Sequence, residues 1–311
     1  MNSALCMLLV SLSAFGQAIS SSSYDLNGKR VEGVRTESSQ AGASSERRVL
    51  VKNGSGRSVP IEHAQEKVVS DSGGLRIVER LVQHYDEDGK PTVSDKVRVE
   101  EQKNADGSGN VLTVVQRRDL NGNYQVAERS RAQGRKSRET ITTSVAVERP
   151  GLSGSLELVE KKEESRRETK AGDVTEVSTL YRRNANGGFQ EAAKETLERK
   201  VANGKTLENT ASYVVRDGRS ELVRQTVTRS EKAPDGSEQK SIDVFEGSPA
   251  GRVVSESDPQ PKLREQQVIE KKMSPAGWVE SLSVRRPLPS DPARLGDLQK
   301  VGETVCSGHC K

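Results

Sequence analysis

The chain has 311 residues, of which 32% are hydrophobic, 3% aromatic and 30% charged. An ordinary globular domain is about 45–50% apolar with glycine included, so a thick oily core is excluded and stability has to come from elsewhere. The 49 Lys and Arg nearly cancel the 45 Asp and Glu, and a net charge of +4 does not call for a nucleic-acid partner.

The chain opens MNSALCMLLVSLSAFGQAIS. An apolar run from Ala4 to Phe15, followed by small Gly16 and Ala18 around Gln17, reads as a secretory signal peptide over residues 1–18. The run falls short of the ~20 apolar residues that cross a bilayer. No later segment approaches that length, so no membrane span is expected once the signal is removed. Cys6 leaves with the signal, and the remaining chain is expected to be secreted, periplasmic or at the cell surface. It keeps Cys306 and Cys310, too few for a disulfide framework.

Residues 19–73 are rich in Ser and Gly, as in SSSYDLNGKR and SSQAGASSERR. They read as a loosely ordered region with one or two strands, near Arg48–Lys52 and Glu66–Val69. The stretch 74–286 is different. RRDLNGNYQ begins at Arg117 and RRNANGGFQ at Arg182, and the recurrence belongs to a series of turn words. Gly89, Gly122, Gly154, Gly187, Gly218 and Gly251 follow one another at 31 to 33 residues. A second series, Gly107, Gly172, Gly204 and Gly236, falls between them, with one turn out of register near Gly134.

Asn-Gly and Asp-Gly supply the positive φ that tight hairpins need. Turns at this spacing leave strands of about 10 to 12 residues, roughly 35 Å each at ~3.3 Å per residue. The repeat unit is therefore one strand up and one strand down. NVLTVVQRR (110–118), ETITTSVAVER (139–149) and KTLENTASYVVR (205–216) have the Val, Thr and Tyr content of strands. Residues 156–172 and 188–205 contain strong helix formers and taken alone would be helices. Their place in the period makes them strands, because a repeat keeps its supersecondary unit.

The expected fold is thus an all-β antiparallel meander, a long twisted or partly curled sheet with flexible termini. A sandwich needs a fuller apolar inner face, and a membrane barrel needs aromatic girdles that three Phe, five Tyr and one Trp cannot build. Cross-strand Glu–Arg and Thr–Thr pairs and Lys and Arg stems laid over neighbours would hold such a sheet. Residues 287–311 begin with prolines and end VCSGHCK, and they read as an extended C-terminal arm.

Candidate sites are few. His63, His84 and His309 are the only histidines, and no nucleophile, zincin or phosphate-loop motif frames them. Cys306 and Cys310 suggest a small disulfide. The weaker alternative adds His309 to make a three-ligand metal site that lacks a fourth ligand. The pairs Arg117 and Arg118, Arg182 and Arg183, and Arg285 and Arg286 recur near strand ends. They read as charged gatekeepers against edge pairing, or alternatively as rows that contact a polyanion. YDLNGKR (24–30) and YDEDGK (85–90) resemble the YD repeats of large bacterial secreted shell proteins over those two words, and no function is carried across.

The sequence therefore predicts an exported, bacterial, non-enzymatic β-repeat protein with a structural or adhesive role and no cofactor. A binding module for acidic glycans or cell-surface components is the second reading. A hydrolase with an unrecognised carboxylate site is the third.

Overall fold

The computed structural model describes residues 17–24, 30–52, 55–119, 121–184, 186–216, 218–247, 261–274, 277–288 and 290–308. Most of the signal-peptide reading, along with Gly251, His309 and Cys310, lies outside these residues. Inside them the chain is all strand and turn. The first five strands are β1 Gln17–Tyr24, β2 Arg30–Ala41, β3 Ser44–Lys52, β4 Ser58–Ser72 and β5 Leu75–Tyr85. Then come β6 Pro91–Lys103, β7 Gly109–Arg118, β8 Tyr124–Ser137, β9 Thr140–Pro150 and β10 Leu156–Glu168. The next five are β11 Val174–Arg183, β12 Phe189–Ala202, β13 Lys205–Arg216, β14 Arg219–Lys232 and β15 Glu238–Glu246. The last are β16 Lys262–Ser274, β17 Gly277–Arg285, β18 Pro287–Leu288, β19 Asp291–Leu295 and β20 Gln299–Gly308.

Eighteen of these strands form one antiparallel sheet in which β2 to β17 each pair with their sequence neighbours, as the meander predicts. The two segments with helical composition are strands β10 and β12. The sheet does more than curl. β20 pairs with β17 and also with β1, and β1 pairs with β2, so every strand has a neighbour on both sides and the ladder runs round in a ring. A barrel of this strand number is too wide for side chains to fill and leaves an aqueous interior. That explains how 32% hydrophobic residues suffice: closure satisfies the backbone edges, and no solid core is asked for.

Both ends of the chain depart from expectation. The region 19–73 contributes four full strands rather than loose chain with one or two, and the C-terminal arm supplies a β18–β19 hairpin and the closing strand β20. β1 begins at Gln17, so removal of residues 1–18 would leave the strand from Ile19 onward.

The turn words act as the sequence predicts, in two geometries. At Gly89 the Asp86 carbonyl accepts from the Gly89 amide, and Asp86 Oδ1 accepts from Asp88 N and Lys90 N at 3.0 and 2.8 Å. Gly122 and Gly187 repeat this with Asp119 and Asn184 as acceptors. Here the glycine, at φ +80 to +85, is the residue that must turn left-handed. At the opposite end of the barrel, Asn203 and Gly204 both have positive φ, a two-residue hairpin. Gly134 is not a turn: β8 runs through it, and the reversal falls at Arg138, whose φ is 55°.

Candidate functional site

Register assigns each side chain to one face of the barrel. Ser39, Glu46, Gln65, Leu81, Lys96 and Gln116 are successive cross-strand partners from β2 to β7. Ala41, Ser44, Lys67, Glu79 and Arg98 form the next row on the same face. These two rows line a cavity of about 680 Å³. Two more, of about 510 and 500 Å³, open on the same face over β7 to β11. All three depressions share this face, and we take it as the inner wall.

The inner wall is polar, and several of its charges are bonded to one another. His63, from the region expected to be loose, sits in β4 with Nε2 2.7 Å from Glu46 Oε1, and Arg48 also bonds that carboxylate. These bonds hold the Glu46 carboxyl below its ordinary pKa. Arg98 reaches Glu79 across the ladder at 2.7 Å and Glu100 along its own strand at 2.8 Å, and hydrogen bonding to Glu100 raises its pKa. Glu148 binds both Arg129 and Arg131, and its pKa is lowered, chiefly by the hydrogen bond from Arg129. Further round, Arg229, Asp243, Gln266 and Arg285 make a chain of hydrogen bonds over four strands.

The outer face has ion pairs as well, including Arg80–Glu66, Arg166–Glu176 and Lys162–Glu164. Neither face offers an uninterrupted apolar band of the kind a lipid-facing barrel presents. No helix among the described residues is long and apolar enough to cross a membrane.

The six candidate arginines all lie at one rim, at the ends of β7, β11 and β17, but on alternating faces and four to eight strands apart round the ring. At ~4.8 Å per strand that is about 20 to 40 Å, so the three pairs do not form one row by themselves. Most of their charge is engaged. Arg117 grips Asp95 through two bonds of 3.0 and 3.1 Å, and hydrogen bonding to Asp95 raises its pKa. Arg182 pairs with Glu160, Arg183 with Glu157 and Arg286 with Glu265. Arg285 bonds Gln266, and Arg118 caps the Gly122 carbonyl at 3.2 Å.

The structure adds rim arginines that sequence reading did not select. Arg149 ends β9 and pairs with Glu128. Arg216 and Arg219 face each other across the Gly218 turn. Arg224, Arg264 and Arg286 share an outer-face depression of about 480 Å³ with Glu246 and Glu265, of which Arg264 takes Glu246 at 2.7 Å. The signal that could have found Arg149 and Arg216 was the period itself, since each closes the same kind of strand as Arg117 and Arg182.

Cys306 lies in β20, 2% exposed and disulfide-bonded, with its partner sulfur outside the described residues. No cluster of three metal-ligating side chains occurs among the described residues. No protein-family profile matches the chain, and no curated protein and no solved structure matches it.

Proposed function

We propose that the protein is an exported, non-enzymatic structural or adhesive element built as a closed, water-containing β-barrel. One observation carries this reading: on the inner wall Glu46, Glu79 and Glu148 are each bonded to a side chain of the neighbouring strand. A catalytic carboxylate would need one group left free at the cavity with its affinity for protons raised. At Glu46 and Glu148 the carboxyl shifts run downward. Export is supported by the apolar start of the chain and by the disulfide at Cys306, a bond that persists in oxidising compartments. Cys310, the partner expected from the sequence, lies outside the described residues. Mass spectrometry of the protein recovered from a Gram-negative expression host tests this. The expected mass starts at Ile19 and is two hydrogens lighter than the dithiol; a chain retaining Met1 in the cytoplasm overturns the export reading.

A second reading, contact with acidic glycans, is favoured by one specific observation. Arg118, Arg216, Arg219 and Arg224 stand at one rim with no carboxylate in salt-bridge contact among the described residues. Retention on heparin or alginate that disappears at modest salt and falls when Arg216 and Arg219 are changed to Gln supports it. Passage straight through the column removes it.

A further inference from the structure

The ring closes through β1, and β1 is unlike the other strands. Its sequence, QAISSSSY, brings four consecutive serines and no charge. It is held on both sides by backbone ladders, from Gln17 to Tyr24 against β2 and from Gln17 to Ser23 against β20. β2 approaches its backbone closely at Gly33, where an added Cβ would lie 3.0 Å from the Ser21 carbonyl oxygen. Ser21 stands at an irregularity in the β1–β2 register, where its Oγ donates to the Val34 carbonyl at 3.1 Å. Ser22 is 6% exposed.

The slot also has a fixed polarity. β2 and β20 are each antiparallel to β1, hence parallel to one another. Without β1 they cannot continue the antiparallel ladder, and each keeps a free edge. Only a strand running in the direction of β1 and about as long restores the ring.

We propose that this slot is a strand-acceptor site whose other occupant is β1 of a second copy of the chain, so that barrels link by exchanging closing strands. The second copy is the occupant because its β1 has the same length and direction and the same Ser21 hydroxyl for the Val34 carbonyl, so every backbone bond of the seam is remade in the exchange. Swapping an identical element is a low-cost route to association, and main-chain ladders are the usual currency of strand addition. Among the described residues β1 is the first element of the chain. The inference does not depend on the structural or adhesive role: a barrel that never exchanges leaves that reading standing.

The test uses Ser22 and Glu303, register partners across the seam, whose Cβ atoms should be within about 5.5 Å. The full chain is made in three forms: Ser22→Cys, Glu303→Cys and the double variant. The two single variants, one isotopically labelled, are mixed, concentrated and oxidised. Peptide mass spectrometry then looks for a disulfide between the two introduced sulfurs that joins a labelled to an unlabelled chain. Light scattering after size exclusion is expected to show twice the monomer mass, growing with concentration, while the oxidised double variant stays monomeric. The proposal is overturned if the double variant links within the chain and the mixture yields no cross-chain peptide. It falls equally if the double variant forms no link at all, since the β1–β20 register would then be wrong.

Discussion

The hairpins from β3 to β14 and the seam formed by β17, β20, β1 and β2 contain the same kind of ladder, yet they are specified differently. In the hairpin region each pairing joins strands a few residues apart, and a turn word between them fixes the register. At the seam, Ile19 pairs with Cys306, and no turn links the two strands. Loop closure makes such a contact late and entropically costly. The hairpin region is therefore local and redundant, whereas the seam is singular and closes only after the rest has formed.

Removing β1 gives the largest expected effect. Deletion of residues 17–24 strips both ladders from β2 and β20 and leaves two parallel free edges. We expect a loss above about 4 kcal/mol, in the range seen only when a named structural device is lost, with concentration-dependent association measured by light scattering. Trp278, the only tryptophan, lies opposite Cys306 in β20, and its emission reports whether β20 stays docked. A deletion mutant that remains monomeric with unchanged emission would show that the ring does not need its eighteenth strand.

Within the hairpin region, the turns should rank by crowding. Gly74 has φ +78 and a Cβ there would sit 2.6 Å from the Lys103 carbonyl oxygen; Gly204 has φ +74 and open space around it. Gly204→Ala is expected to cost about 1–2 kcal/mol for left-handed backbone alone. Gly74→Ala adds a backbone clash and should cost about 2–4 kcal/mol. Urea midpoints of the two variants check the order. Equal losses would mean that the neighbouring hairpin gives way without cost.

The same division governs what could be read from the sequence. Gly89, Gly122, Gly172 and Gly187 announced their turns because positive φ is a property of one residue. β10 and β12 were legible as strands only through the period, since their Glu, Lys and Ala content favours helix and the neighbouring ladders override it. β1, β2 and β20 were not legible, and β3 and β4 only in part, near Arg48–Lys52 and Glu66–Val69. The Ser and Gly content of β1 and β2 carries little strand signal, and β1 and β20 are ordered by each other across almost the whole chain. His63 shows the same limit: nothing near it in sequence points to Glu46, which the β3–β4 pairing brings to 2.7 Å. The arginine pairs were legible in position, but their carboxylate partners were not.

Acid should separate the two regions by a smaller margin. Glu46 and Glu148 have folded-state pKa values below their ordinary 4.5. The unfolded chain then binds more protons as pH falls through this range, so stability rises with pH. Their contribution is complete above about pH 4.5 and is lost as pH drops through the lowered folded values. The hairpin region holds both groups, whereas β1 carries no carboxylate. Hydrogen exchange from pH 7 to pH 3 is expected to show protection in β3, β4, β8 and β9 declining below pH 4.5 ahead of protection in β1. Glu148→Gln should flatten part of that decline. Seam and hairpins declining together would mean that the ring titrates as one unit.

The smallest effect should come from a single rim pair. Lys205 and Glu231 are register partners on β13 and β14, 3.2 Å apart, with side chains 67% and 63% exposed. An ion pair this wet gains little over hydration and is screened by salt. Lys205→Gln is expected to shift stability by less than about 0.5 kcal/mol, and the shift should vanish in 0.5 M salt. Arg98→Gln, which removes a cation shared by Glu79 and Glu100, should cost more than Lys205→Gln because it leaves two carboxylates on the inner wall without their bond. Thermal melts of the two variants at low and high salt decide the matter. A larger loss for Lys205→Gln would mean that rim pairs rather than wall networks stitch the hairpins, and that the charges lining the cavity are free for another use.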